Sequence, residues 1–228
     1  MIVKAPKWIL FGGGVLAFCA GMVNVISLMG FFHQGVTHAT GNVSRMAIAM
    51  NQGNLTAVCE IAGILFFFLF GAMISGIIVR DGHLKLGRRY GWVLALESLL
   101  LFIAAAAFGK GLIVGELLAS MASGLQNAMA STYSGAIIRT THLTGVLTDL
   151  GAAIGHLICG VKVDARRFKI YILLIGSFFL GGFLGAQAFL VLNIRAMLIP
   201  AALIGFSSII YFHFRRLSLE EKTRACVR

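Results

Sequence analysis

Apolar residues run almost without interruption through six stretches of the chain, 8–29, 55–79, 90–108, 112–133, 170–192 and 196–214. Each is close to the roughly 20 residues that carry a helix across the hydrocarbon of a bilayer. Two further stretches, 38–50 and 142–159, are less apolar and rich in Thr and Gly, and each holds one charge, Arg45 or Asp149. The architecture turns on whether these two also cross. Long unbroken apolar runs exclude a transmembrane barrel, whose strands alternate in polarity.

Basic residues decide between the alternatives, because short cytoplasmic loops carry an excess of Lys and Arg. With eight crossings and the N-terminus inside, 12 of the 19 basic residues lie inside, 6 lie outside and Arg45 is within the membrane. With six crossings, the two ambiguous stretches dip into the membrane and return, and both termini are cytoplasmic. Sixteen basic residues then lie inside, and only Lys110 and Arg195 remain outside. That division favours six transmembrane helices plus two re-entrant half-helices. It also turns the net charge of +11 into a cytoplasmic collar, so no nucleic acid is expected as a partner.

The two ambiguous stretches resemble each other. Thr37-His38-Ala39-Thr40-Gly41 returns 104 positions later as Thr141-His142-Leu143-Thr144-Gly145. Upstream, Gly21-x-x-Asn24 returns as Gly124-x-x-Asn127, and downstream Phe67-Phe68-Leu69-x-Gly71 returns as Phe178-Phe179-Leu180-x-Gly182. Each unit, 8–109 and 112–214, then reads as helix, re-entrant segment, helix, helix, followed by a cytoplasmic tail at 215–228. Three crossings per unit is an odd number, so the second unit is upside down relative to the first. The expected fold is a single all-α integral membrane domain, a 3+3 inverted-topology repeat of the kind that places transporter substrates near the midplane.

Residues 30–39 read as extended chain, with Thr40-Gly41-Asn42 capping the first short helix and Thr144 capping the second. Non-helical backbone at membrane depth survives only where protein buries it or water reaches it. Asn24, Thr37, His38, Thr40, Gly41 and Asn42, with Asn127, Thr141, His142, Thr144 and Gly145, are therefore expected to line a site for a small-molecule substrate. Two helix N-termini converging there suit an anion; the alternative is that Thr and Gly serve only close helix contact. Arg45 and Asp149 hold equivalent places in the two units, and a charge alone at depth costs at least ~2.5–3.5 kcal/mol. They are expected to pair across the pseudo-two-fold axis, as a structural lock or as part of the site. Glu97 lies two turns into its helix and is the candidate for proton coupling or a structural glutamate, whereas Glu60 and Glu116 begin near helix ends. His33, His38, His142 and His156 have no carboxylates at ligand spacing, so no metal or other cofactor is expected.

Composition narrows the class. The chain is 59% hydrophobic and 12% charged, far from the about 45–50% and about 25% of soluble domains. Cys19, Cys59, Cys159 and Cys226 are widely spaced and read as small core residues or bystanders. The start resembles a signal peptide, but the apolar run continues to Met29 and has a counterpart later in the chain, so no cleavage is expected. Gly12-Gly13-Gly14 lies inside an apolar helix and is no nucleotide loop. With H-E-x-x-H and G-x-S-x-G absent, the chain does not read as an enzyme.

Taken with Thr40-Gly41-Asn42, the residues 21–27, Gly124-Leu125-Gln126-Asn127 and Arg139-Thr140-Thr141-His142-Leu143-Thr144-Gly145 make the chain resemble the YoaK-like family of bacterial inner-membrane proteins. The resemblance covers nearly the whole chain, implies a bacterial inner-membrane location and names no substrate. Family members commonly carry an aspartate where this chain has Asn24 and an aromatic where it has His142, which implies that any coupling role of that aspartate has moved here to Glu97 or Asp149. The sequence is thus expected to encode a small secondary transporter for an anionic or polar metabolite, in contact with the lipid bilayer and with room for a homodimer. A channel, or an intramembrane lipid-handling enzyme using the same cavity, are the alternatives.

Overall fold

The computed structural model describes residues 7–30, 33–80, 88–134 and 138–226. Its helices are α1 (Lys7–Met29), α2 (Ala39–Asn51), α3 (Leu55–Ile78), α4 (Arg88–Phe108), α5 (Val114–Ser134), α6 (Leu143–Ile158), α7 (Ala165–Leu192) and α8 (Leu198–Cys226). A short 3-10 turn, Asn193–Met197, separates α7 from α8. No strand occurs among the described residues. This is an all-α membrane protein. Four stretches are long and apolar enough to cross a bilayer: Leu10–Met29, Leu55–Ile78, Arg89–Phe108 and Ala165–Arg216, the last holding both α7 and α8 in 52 residues.

The expected crossing at 112–133 is not among those four. It forms α5, whose apolar run is broken by Glu116, Ser120, Ser123, Gln126 and Asn127, all of them buried. A helix that hides its polar face needs partners on several sides, and α5 packs against α3, α4 and α1. Around it, α1 lies along α7, α4 packs on α8, α2 rests on α3 and α6 on α7. The apolar core fills the space between α1, α4, α5 and α8, with Ile26, Leu101, Phe108, Leu125, Met197 and Ile204 fully buried.

Glycines set the closest helix contacts. A methyl group on Gly21 would land on the Phe178 carbonyl oxygen, and one on Gly181 on that of Phe18. The α3/α5 pair repeats this arrangement, with Gly124 against the Phe68 carbonyl and Gly71 against that of Met121. Only a residue without a Cβ permits such an approach between helices. The two crossings correspond residue by residue, Phe18 and Gly21 with Met121 and Gly124, and Phe68 and Gly71 with Phe178 and Gly181. The sequence match set Gly71 against Gly182; the contact geometry moves its counterpart to Gly181.

Helix directions follow from the same contacts. Gly14 meets Leu173 and Ser177 while Gly185 meets Met22, so α1 and α7 run parallel. Gly63 meets Leu117 and Gly124 meets Phe68, so α3 and α5 also run parallel. In contrast, Ser98 Oγ donates to the Ala201 carbonyl at 2.8 Å and Ser208 Oγ to that of Gly91 at 2.8 Å, which makes α4 and α8 antiparallel.

The half-helices begin one or two residues earlier than expected. His38 and His142 occupy the N-cap positions of α2 and α6, and neither side chain caps. Thr40 and Thr144 lie inside the first turns, where their carbonyls accept from Ser44 Oγ at 3.1 Å and Thr148 Oγ1 at 2.9 Å. The expected threonine caps are therefore incorrect: the helical backbone reaches back past both threonines, leaving their hydroxyls on the helix surface. At 13 and 16 residues, α2 and α6 extend about 20 and 24 Å, short of the ~30 Å hydrocarbon core.

Candidate functional site

Two non-helical returns bring polar groups into the bundle. After α1 ends, the chain doubles back along it, and the Thr37 backbone N–H donates to Asn24 Oδ1 at 3.2 Å. Asn24 lies five residues before the end of α1, so the return reaches about 8 Å below the helix end. Asn42 Nδ2 holds the same return through the Gly35 carbonyl at 2.8 Å. From the other half of the chain, Ser120 Oγ on α5 donates to the Ile64 carbonyl at 2.8 Å and touches that of Val36 at 3.5 Å. Asn24, Thr37 and Asn42 are all buried.

The second return is its counterpart. Ser134 Oγ donates to the Ala130 carbonyl and accepts from the Ile138 N–H, both within 2.8 Å, which closes the end of α5. Ile138 packs over Gly13 of α1. Gln126 Nε2 then donates to Thr140 Oγ1 and to the Leu16 carbonyl of α1, each at 3.0 Å. Gln126 lies eight residues before the end of α5, so this return reaches about 12 Å back into the bundle. Each return is thus packed against the first helix of the opposite half.

Asn127 stands where Asn24 stands in the first half. Both are 8% exposed, but Asn24 Oδ1 is occupied by Thr37 while Asn127 Oδ1 has no hydrogen-bond partner. Gln34 Oε1 and Ser27 Oγ, at the first return, are also buried without partners. On α4, Glu97 is 2% exposed with Oε2 unpartnered, and it lies within electrostatic reach of the Cys19 thiol on α1. Phe108 packs on Gly115 where α4 turns into α5. Eleven residues back along α4 and eleven forward along α5 place Glu97 level with Gln126. Gln126 and Thr140 are bonded to each other, and Cys19 and Glu97 lie together at the same depth by residue count. Glu116, expected near a helix end, is fully buried with both carboxyl oxygens unpartnered.

The rest of the expected set lies elsewhere. His38, Thr40, His142, Thr144 and Gly145 are exposed, and Gly41 and Thr141 are half-buried. A methyl on Gly41 would strike the His38 imidazole. The expected Arg45–Asp149 pair does not form within the chain. Arg45 Nη1 instead donates to the His33 carbonyl at 2.7 Å, and Asp149 stands near Tyr171 of α7. The reason is packing: α2 rests on α3 and α6 on α7, so the two charges lie on separate parts of the surface. Among the described residues, no group of three His, Cys, Asp or Glu side chains is placed to hold a metal ion.

Gln126, Thr140 and Ser120 were not singled out as site residues. Gln126 and Thr140 lie in the two runs, 124–127 and 139–145, that carry the family resemblance, so one signal was present for each. Ser120 had none.

The comparisons with known proteins agree with a membrane protein. The chain is similar to the transmembrane protein YoaK of Bacillus subtilis (strain 168), 27% identical over 146 residues, an alignment covering 60% of this chain and 63% of YoaK. The match thus spans less than two thirds of that relative's length. No solved structure matches. The family described as "Protein of unknown function (DUF1275)" matches residues 13–210, and the chain belongs to this family of YoaK-like transmembrane proteins.

Proposed function

We propose that the chain is a small secondary transporter in a bacterial inner membrane, built as a 3+3 inverted repeat with both termini cytoplasmic. Helix directions support the topology. If α6 crossed the membrane, α4 and α8 would be separated by three crossings and would run the same way; they run in opposite directions. The reciprocal glycine crossings of α1 with α7 and α5 with α3 support a pseudo-two-fold axis between the halves. On this reading α2 and α6 are re-entrant, and the short lengths of both agree.

The observation that carries the functional reading is the pair of returns, each buried against the first helix of the opposite half, with Ser27 Oγ and Gln34 Oε1 beside the first and Asn127 Oδ1 on the helix beside the second left without partners among the described residues. The substrate is a small polar or anionic metabolite held between Asn24, Thr37 and Asn42 on one side and Gln126, Asn127, Thr140 and Thr141 on the other. The N-termini of α2 and α6, with Arg45 and Arg139 close by in sequence, favour negative charge. Glu97 at the same level carries the coupling proton, since an acid inside a membrane bundle is expensive as a free ion and suits a relay. Alternating access opens the α1/α7 and α3/α5 pairs in turn.

The test is ligand-dependent stability. A metabolite that binds at a hundred times its Kd adds about 2.7 kcal/mol to the native state. Purified protein heated with a panel of small carboxylates, phosphates and neutral polar solutes is expected to show a raised melting temperature with one chemical class, and liposomes holding the protein are expected to accumulate that class. A panel without effect, with liposomes that remain impermeant, overturns the reading.

A further inference from the structure

Ser120 marks the point where α3, α5 and the first return meet, because its hydroxyl donates to the Ile64 carbonyl at 2.8 Å and stands 3.5 Å from that of Val36. Further along α5, Gln126 meets the Leu16 carbonyl, while the return beside Val36 is fastened to Asn24 through Thr37. Passing from 120 to 126 on α5 therefore passes from 24 back to 16 on α1, and the two helices are antiparallel. One turn before Ser120 comes Glu116, level with Ser27 near the end of α1. The parallel helix α3 brings Glu60 to the same level, one turn before Ile64. Gln34 lies on the stretch of the return between the end of α1 and the bond to Asn24.

The other half indicates what these positions face. Gln34 precedes Thr37 by three residues as Ile138 precedes Thr141, and Glu116 and Ser120 stand on α5 where Gly13 and Ala17 stand on α1. A methyl added to Gly13 would come within 3.0 Å of the Ile138 side chain. Position 116 accordingly faces position 34. By the correspondence of the glycine crossings, Ile170 and Leu174 of α7 are the counterparts of Glu60 and Ile64 of α3. Ala17, Ile138, Ile170 and Leu174 close into one apolar cluster. Where that half holds hydrocarbon, the first half holds a hydroxyl, an amide and a carboxylate, with Glu116 in place of Gly13.

Glu116 and Ser27 are fully buried and Gln34 is buried. Both carboxyl oxygens of Glu116, Gln34 Oε1 and Ser27 Oγ have no partner among the described residues. Buried oxygens left unmet are costly, and most of all those of an acid. Arg45, the cation bonded to this return, spends Nη1 on the His33 carbonyl and lies exposed.

We infer that these oxygens form a site for a monovalent inorganic cation, Na+, held by the Glu116 carboxylate, Gln34 Oε1 and Ser27 Oγ. Hard oxygen donors suit a hard cation, and a single fully buried carboxylate balances a single charge. Non-helical carbonyls such as those of the return serve Na+ as ligands in transporters with broken helices. Glu60, half-buried beside the site, raises the local concentration of cations. The site is distinct from Glu97 and goes beyond the transporter reading, since the ion binds whether or not a metabolite is carried.

The experiment uses full-length protein purified in detergent at fixed pH and ionic strength, with binding of radioactive Na+ and melting in NaCl or choline chloride as readouts. Saturable binding near one ion per chain is expected, with a melting temperature higher in NaCl. Glu116→Gln and Gln34→Leu are each expected to weaken Na+ binding at least about tenfold, and Asp149→Asn, which removes an acid elsewhere, to leave it within about threefold. If Glu116→Gln fails to fold, the wild type and Gln34→Leu decide. The site is overturned by the absence of saturable Na+ binding, by equal melting in the two salts, or by binding that survives Gln34→Leu or a folded Glu116→Gln. A melting temperature that follows pH and ignores Na+ also overturns it, assigning Glu116 a bound proton instead. None of these readouts needs a substrate, so Na+ binding beside an ineffective metabolite panel removes the transporter reading alone, and the converse removes the ion site alone.

Discussion

Ser98 and Ser208 stand 110 positions apart and make the same bond in opposite directions, Ser98 to the α8 carbonyl of Ala201 and Ser208 to the α4 carbonyl of Gly91, both at 2.8 Å. The acceptor residues are 110 positions apart as well. A helical carbonyl has a second lone pair, so each hydroxyl adds a contact without taking one from its neighbour's ladder. Replacing either serine with alanine is expected to cost about 0.5–1.5 kcal/mol, with the two effects similar in size. Unfolding in mixed micelles with increasing denaturing detergent measures both; a loss confined to one variant contradicts the equivalence.

The glycine crossings allow a sharper comparison. Alanine at Gly21, Gly181, Gly71 or Gly124 places a methyl group on a backbone carbonyl of the adjoining helix, and helix backbones cannot move aside as a flexible side chain does. Each change is expected to destabilise by about 1–3 kcal/mol or more. Gly76 and Gly176, on α3 and α7, have nothing within 4 Å of an added methyl, and alanine there is expected to be neutral or to stabilise by up to about 1 kcal/mol. Thermal melting of the six variants separates the two groups. If they overlap, the close approach is not what holds α1 to α7 and α3 to α5.

Hydrophobic pattern made most of the helices legible, because a bilayer-crossing segment has little freedom in composition. The two short helices α2 and α6 stood out for the opposite cause: Thr, Gly and one charge in each marked them as different from the apolar runs, and the repeated pentapeptide marked them as alike. What sequence could not supply was depth and neighbour. Thr40 reads as a cap from its side chain alone, but the backbone enters the helix earlier and His38 takes the cap position. Arg45 and Asp149 match in the repeat, yet matching positions in a sequence do not bring two residues together, and α2 packs on α3 while α6 packs on α7. Gln126 looks like one more polar residue on a weakly apolar helix; only the return of the chain beside α5 shows that its amide ties Thr140 to Leu16. The same burial explains why α5 escapes a hydropathy criterion: its polar face never meets lipid.

Glu97 offers a test of coupling distinct from binding. Gln has nearly the same shape, and Oε2 has no partner among the described residues, so Glu97→Gln is expected to fold with a melting temperature equal to or above that of the original chain. If Glu97 carries the proton, substrate uptake into liposomes is expected to lose its response to an imposed pH gradient, while counterflow exchange of substrate continues. A variant that keeps the pH response places the coupling proton on another group. One that loses exchange as well places Glu97 in substrate binding rather than in coupling.

Asn24 and Asn127 occupy the same position in the two halves but differ in what they hold, and that difference separates structure from binding. Asn24 Oδ1 accepts from the Thr37 N–H inside the bundle, so Asn24→Ala leaves a buried donor without a partner, at a cost of about 1–3 kcal/mol. Asn127 Oδ1 accepts from nothing among the described residues, so Asn127→Ala removes no such bond at that oxygen and is expected to cost clearly less. Its effect should fall on the ligand. Where a stabilising metabolite raises the melting temperature of the wild type, the Asn127→Ala protein is expected to show a much smaller rise at the same concentration, and the Asn24→Ala protein, though less stable at the start, a larger fraction of the original rise. Parallel melting curves with and without the metabolite measure both quantities in one experiment. If Asn127→Ala destabilises as much as Asn24→Ala and leaves the ligand response intact, the unpaired oxygen belongs to a packing position, and the substrate lies on the side of the first return alone.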